Sequence, residues 1–210
     1  LDQRWSPFEE RVSRCADAIA EMSRRRGRSC LYFVHVSGAA ESMRKRAPRA
    51  KALGATGLLI APGLTGFDAV RALRSDEGLH MPILCHPAFL GASVGSDRGG
   101  LAPTVGYGLL PRLAGADLTL YPAFGSDYPM SQQDCLSVAE SCRASWGPIK
   151  PTMPAVGGRI GSERLSELGT ALGSDVAFIV GSRIQKDPDG IPAALRRLHR
   201  TIGELELPSR

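Results

Sequence analysis

The feature that most constrains this chain is an alternation: a short apolar run, then a stretch with helical periodicity, six times over. The apolar runs fall at 31–36, 57–60, 82–86, 117–121, 150–154 and 176–180. They are continuously apolar rather than alternating, the pattern of strands covered on both faces in a parallel sheet. Helical patterns follow at 39–53, 67–74, 105–113, 131–144, 163–172 and 191–202. Pro48 is expected to kink or shorten the first of these. One further helix precedes the first strand, with Phe8, Val12, Cys15, Ile19 and Met22 on a single stripe and Gly27 as its stop. Ser6 and Glu9 stand in capping-box order, with Pro7 at the first helical position. The fold class is α/β, read as one domain over 1–210 with no linker and no repeat beyond the strand–helix unit.

Two architectures compete for such a chain, a doubly wound open sheet and a (β/α)₈ barrel. Six units are two short of a barrel, yet the opening helix has no strand before it, in keeping with a barrel cut after its second strand. The first strand ends Val36-Ser37-Gly38-Ala39-Ala40, too poor in glycine for a pyrophosphate turn, and no GxGxxG fingerprint, P-loop, GxSxG or HExxH motif is present.

Composition narrows the function classes. No window approaches eighteen uninterrupted apolar residues, and no basic-then-apolar leader opens the chain, so the reading is a cytoplasmic protein without a membrane partner. The formal charge is +5, and only four of the 26 basic residues are lysines (Lys45, Lys51, Lys150, Lys186). Arginine suits phosphate and carboxylate. Here, however, the arginines are scattered, apart from Arg24, Arg25, Arg26 and Arg28 where a helix ends, and only 6% of residues are aromatic. Nucleic acid is therefore not the expected partner. The five cysteines form no CxxC pair and read as reduced core thiols, neither a zinc site nor a disulfide framework.

In either architecture chemistry belongs just past the C-terminal ends of the strands. The last two ends carry glycines: Val156-Gly157-Gly158 and Gly181-Ser182-Arg183. If they are the final two loops of a barrel, their backbone N–H groups would cradle a phosphate; glycine is also common in plain βα turns. His86 closes a strand and can serve as general acid or base. His35 lies near the end of the first strand, and alternation alone does not say where it points. Tyr121, Asp127 and Tyr128 are read as lining the loop after the fourth strand. Asp117, Lys150, His80 and His199 lie away from the active face, and Lys186 and Asp187 lie beyond the Gly181 turn.

A family resemblance runs along nearly the whole chain. The stretch from Asp2-Gln3 through Trp5-Ser-Pro-Phe-Glu-Glu-Arg11 resembles the segment that follows the metal-binding strand in RuBisCO-like proteins. Agreement continues through Met43-Arg-Lys-Arg-Ala47, Leu53-Gly54-Ala55, Leu64-Thr65-Gly66, His86-Pro87-Ala88, Leu110-Pro-Arg-Leu-Ala-Gly-Ala-Asp117, the segment 154–158 and Gly181-Ser182. The resemblance implies the C-terminal (β/α)₈ barrel of the RuBisCO large-subunit type, incomplete at its N-terminus, with the first two strands and the N-terminal α+β domain absent. It implies Mg²⁺ as cofactor, with a lysine and two acidic ligands expected upstream of Leu1 and no metal ligand in this chain. It also implies His86 as a catalytic residue, Gly157, Gly158, Gly181 and Ser182 as the substrate-phosphate loops, and a homodimer or higher homo-oligomer. His35, a second catalytic candidate by its strand-end position, falls near a family asparagine position.

Departures from the family pattern argue against carboxylation. An arginine of the family is Pro87 here, and a serine is Val156. A second family histidine is lost in Leu118-Thr-Leu-Tyr121, and the loop Ala123-Phe-Gly-Ser-Asp127 has no mobile lysine. What remains is proton abstraction beside a carbonyl, with a Mg²⁺-stabilised enolate of a phosphorylated keto-sugar or sugar acid. Decarboxylation of a 3-oxo sugar-acid phosphate is the first expectation. Enolisation of 2,3-diketo-5-methylthiopentyl-1-phosphate, isomerisation of 5-methylthioribulose-1-phosphate, and a non-catalytic binding or regulatory barrel are the alternatives. The chain as given, lacking the ligand strand, is expected to be inactive alone.

Overall fold

The computed structural model describes residues 3–94 and 99–205; Asp2, with which the family-like stretch opens, lies outside them. In chain order the elements are α1 (Phe8–Arg26), β1 (Phe33–His35), α2 (Ala40–Ala52), β2 (Gly57–Ile60), α3 (Pro62–Thr65), α4 (Phe67–Arg74) and β3 (Ile83–Cys85). A π-helical turn (Thr104–Leu109) leads into α5 (Leu110–Leu113), then β4 (Leu118–Pro122), α6 (Gln132–Arg143), β5 (Met153–Gly157), α7 (Ser162–Leu172), β6 (Ala177–Ile179), α8 (Ser182–Gln185) and α9 (Ile191–Glu204).

The chain divides into two compact units. One comprises residues 1–91 and 110–118, the other residues 92–109 and 119–210. In the first, β1, β2 and β3 stand side by side in chain order and parallel, with Val34 opposite Leu58 and Leu59 opposite Leu84. Their core joins Val34, Leu58, Ile60 and Ile83 to Phe8 and Val12 of α1, Met43 and Ala47 of α2, and Val70 and Leu73 of α4. In the second unit β4, β5 and β6 also follow chain order. The Ala123 N–H donates to Gly157 O at 2.8 Å, and Val156 pairs with Phe178 in parallel register.

Several local expectations change. The capping box at α1 does not form: Pro7 is the N-cap and no side chain caps the helix. Arg11 instead donates to the Ser6 carbonyl at 2.7 Å, and Glu9 pairs with Arg49 at 2.6 Å. Pro48 sits inside α2 without ending it. β5 starts three residues later than the apolar run suggests, because residues 146–149 close a turn and burial within the strand begins only at Pro154. Val156 and Gly157 are therefore strand residues, and only Gly158 lies past the end. Of the five thiols, Cys85, Cys135 and Cys142 are buried, but Cys15 and Cys30 are exposed, since the outer side of α1 and the turn after it face solvent. Among the described residues no helix is long and apolar enough to cross a membrane.

Candidate functional site

In the first unit the polar groups gather where the strands end. His35 is the last residue of β1, half-buried, and its Nε2 lies 2.8 Å from Ser37 Oγ. Ser37 is fully buried, and its Oγ accepts the Ala61 N–H at 2.7 Å, which ties the end of β1 to the end of β2. His86 follows β3 directly, and its N–H continues the ladder to Ile60 O at 2.7 Å. The Ala88 N–H donates to Nδ1 of His86 at 3.1 Å. Burial holds both imidazoles below their usual range, and for His35 the neighbouring His86 adds to the effect. Neutral rings are the consequence at neutral pH. Asp117 has a structural part instead: its Oδ2 accepts the Ile83 N–H at 2.8 Å and pairs with Arg74 at 3.1 Å.

In the second unit the register places Gly157 opposite Ile179, so the chain leaves β5 at Gly158 and β6 near Gly181 on neighbouring strands. Gly158 has φ +113°, and a Cβ there would stand 2.7 Å from Ser126 Cβ; only glycine lets these two loops meet. A Cβ on Gly181 would meet nothing within 4 Å, so the backbone there is open to a ligand. The neighbouring loop is held from behind. Arg164 of α7 donates to the carbonyls of Phe124 and Gly125 and lies over the Phe124 ring at 5.7 Å. Asp127 pairs with Arg159 at 2.7 Å, and Tyr128 is exposed. Beside the Gly181 turn, Arg183 pairs with Glu163 and Arg197 with both Asp187 and Asp189.

Tyr121 corrects a sequence reading. It lies inside β4, fully buried, and its hydroxyl donates to Cys135 O at 3.2 Å, so it is a core residue and not part of the loop. Ser37, Ser126 and Arg164 escaped sequence reading. Each acts through a partner far along the chain, and no local pattern marks it. Among the described residues no group of three or more His, Cys, Asp or Glu could hold a metal ion. The side chains described here therefore do not make up a complete Mg²⁺ site by themselves. The strand-end groups can hydrogen-bond, exchange a proton and bind an anion.

Short strands following one another in parallel, with histidines and glycines collected at their C-terminal ends, define an α/β protein of the βα-barrel class. No family model matches the chain. It is 36% identical over 198 residues to the ribulose bisphosphate carboxylase-like protein of Archaeoglobus fulgidus, covering 94% of this chain and 45% of that relative. It is 32% identical over 190 residues to the 2,3-diketo-5-methylthiopentyl-1-phosphate enolase of Geobacillus kaustophilus, covering 90% of this chain and 46% of that protein. Among solved structures, the rubisco-like protein of Alicyclobacillus acidocaldarius matches with a TM-score of 0.90 and 32% identity, over 99% of this chain and 52% of that one. The chain belongs to the RuBisCO-like proteins of the RuBisCO large-subunit superfamily. Its fold is part of that barrel, as the resemblance implied, and it spans about half the length of the curated relatives it matches.

Proposed function

We propose that this chain is the C-terminal barrel portion, incomplete at its N-terminus, of a RuBisCO-like enzyme that enolises a phosphorylated keto compound rather than fixing CO₂. The observation that carries the reading is the register of β5 and β6, which sets the Gly158 and Gly181 turns on adjacent strands, with the Gly181 backbone uncovered. Two such turns suit one phosphate: N–H groups with no Cβ in the way can converge on its oxygens. In this reading Gly157, Gly158, Gly181 and Ser182 hold the substrate's phosphate. His86 and His35 serve the oxygens on which charge develops as a proton leaves the neighbouring carbon.

The losses at Pro87 and Val156 favour a substrate with one phosphate. Enolisation of 2,3-diketo-5-methylthiopentyl-1-phosphate now stands ahead of decarboxylation of a 3-oxo sugar-acid phosphate, because that activity is named for a relative 32% identical over 90% of this chain. Mg²⁺ remains the cofactor proposed for the whole enzyme. Among the described residues no group of three or more His, Cys, Asp or Glu gathers to hold it, and no step is assigned to it.

Two measurements test the proposal. Titrating inorganic phosphate into the labelled protein is expected to shift the amide resonances of Gly158 and Gly181 ahead of others. The complete enzyme, incubated in D₂O with the diketone phosphate, is expected to show exchange at the carbon beside the carbonyl, and CO₂ release from the sugar-acid phosphate would restore the decarboxylase. Silent glycine amides together with no exchange from either substrate would overturn the reading.

A further inference from the structure

The hydrogen bonds around the two histidines decide which ring nitrogen carries the proton. The Ala88 N–H points at Nδ1 of His86 from 3.1 Å. A ring nitrogen that accepts a hydrogen bond bears no proton, so this imidazole is neutral and its single proton sits on Nε2. The donor amide is itself held in place. Pro87 has no N–H to offer, which makes Ala88 the first amide after His86 able to reach the ring. Residues 87–90 close a turn through the Leu90 N–H and Pro87 O at 3.0 Å, with Phe89 at φ +67° in the position that usually takes glycine. Gly63 backs that turn so closely that a Cβ would stand 2.5 Å from Ala88 O. Clamped in this way, the amide keeps its aim on Nδ1.

His35 is fixed from its other nitrogen. Its Nε2 lies 2.8 Å from Ser37 Oγ, which already accepts the Ala61 N–H at 2.7 Å. Ser37 is fully buried, and a buried hydroxyl proton needs an acceptor. Donation to His35 Nε2 supplies one, and it leaves the imidazole proton on Nδ1.

We propose that both histidines act as neutral hydrogen-bond donors, His86 through Nε2–H and His35 through Nδ1–H, that neither removes the substrate's proton, and that Ser37 is the residue that positions His35. The role rests on the enolate reading above: two neutral donors stabilise negative charge on oxygen, and each keeps its own proton throughout. The ring states themselves need no substrate. Burial, which holds both rings below their usual pKa, works in the same direction.

The test is long-range ¹H–¹⁵N NMR on the protein carrying ¹⁵N-histidine, at neutral pH and without substrate. The expected spectrum shows His86 as the neutral Nε2–H tautomer and His35 as the neutral Nδ1–H tautomer. In Ser37→Ala, His35 is expected to become a tautomer mixture while His86 stays unchanged. Should that variant fail to fold, Ser37→Thr keeps the hydroxyl and is expected to preserve the Nδ1–H form. A proton on Nδ1 of His86, a charged His86, or an Nε2–H form of His35 in the parent protein would overturn the assignment. For the role in the complete enzyme, His86→Gln keeps an N–H without a basic nitrogen and is expected to retain at least about tenfold more carbon-proton exchange than His86→Ala. Equal loss in the two would refute the donor role. If the parent enzyme shows no exchange at all, the enolate reading fails while the tautomer result still stands or falls by the spectrum.

Discussion

The two strand-end histidines couple the stability of the chain to pH. Burial lowers both from an ordinary value of 6.5, so between that value and their folded-state pKa the folded chain binds fewer protons than the unfolded one. Stability is therefore expected to fall as the pH drops below about 6.5, and this loss stops growing once both rings are charged in the folded state. Urea midpoints at pH 7.5 and 5.5 check this, and replacing both residues by asparagine is expected to flatten the difference. A midpoint that rises on mild acidification would contradict it. At this scale the sequence was only partly legible. His86 and His35 were visible because each stands at the end of an apolar run, a position that can be counted. Ser37 was not, because its burial and one of its two hydrogen bonds depend on chain brought in from elsewhere, the Ala61 amide 24 residues away. Tyr121 was misplaced because β4 runs one residue further, through Pro122, and keeps that side chain in the core.

Among the elements, caps separate what a motif promises from what geometry delivers. Ser131 does cap α6: its Oγ accepts the Asp134 N–H at 3.0 Å, with Ser131 at φ −71° and ψ 158°. Ser6 is the equally plausible capping serine by pattern, yet α1 has no side-chain cap. Ser131→Ala is thus expected to cost about 1 kcal/mol in denaturant unfolding. Ser6→Ala is expected to stay within about 0.5 kcal/mol, the range of an ordinary surface change. Equal losses would mean that α1 is capped after all. Periodicity found α4 from end to end and α6 to within about a residue at each end, because an amphipathic stripe is a local property. It missed the short α3 and α8, and it read the π-helical turn and α5 as one helix. Elements of one turn carry too few residues for a period to show.

For the molecule as a whole, strand coverage is uneven. β2, β3 and β5 are mostly buried, whereas β6 has no buried residue and Ile179 is 41% exposed. Among the described residues β6 pairs with β5 alone and β1 with β2 alone, which leaves a free backbone edge on each. Free edges beside exposed apolar side chains invite pairing between chains. The 210-residue chain on its own is expected to elute from a sizing column as a dimer or larger species, or to be poorly soluble. A stable monomer at micromolar concentration would contradict this.

The sequence by itself determined the α/β class, the order of strands and helices, and the strand ends where histidine and glycine collect. All of these follow from periodicities and turn residues that act over a few positions. Only the tertiary structure decided which of those groups have partners. The His35–Ser37–Ala61 link, the Ala88 amide on His86, the Ser126 contact that demands Gly158 and the Arg164 clamp on the β4 loop each join residues that chain order separates or that a turn must first fold together. Protonation state and ligand access depend on such through-space partners, and a pattern along the chain does not contain them.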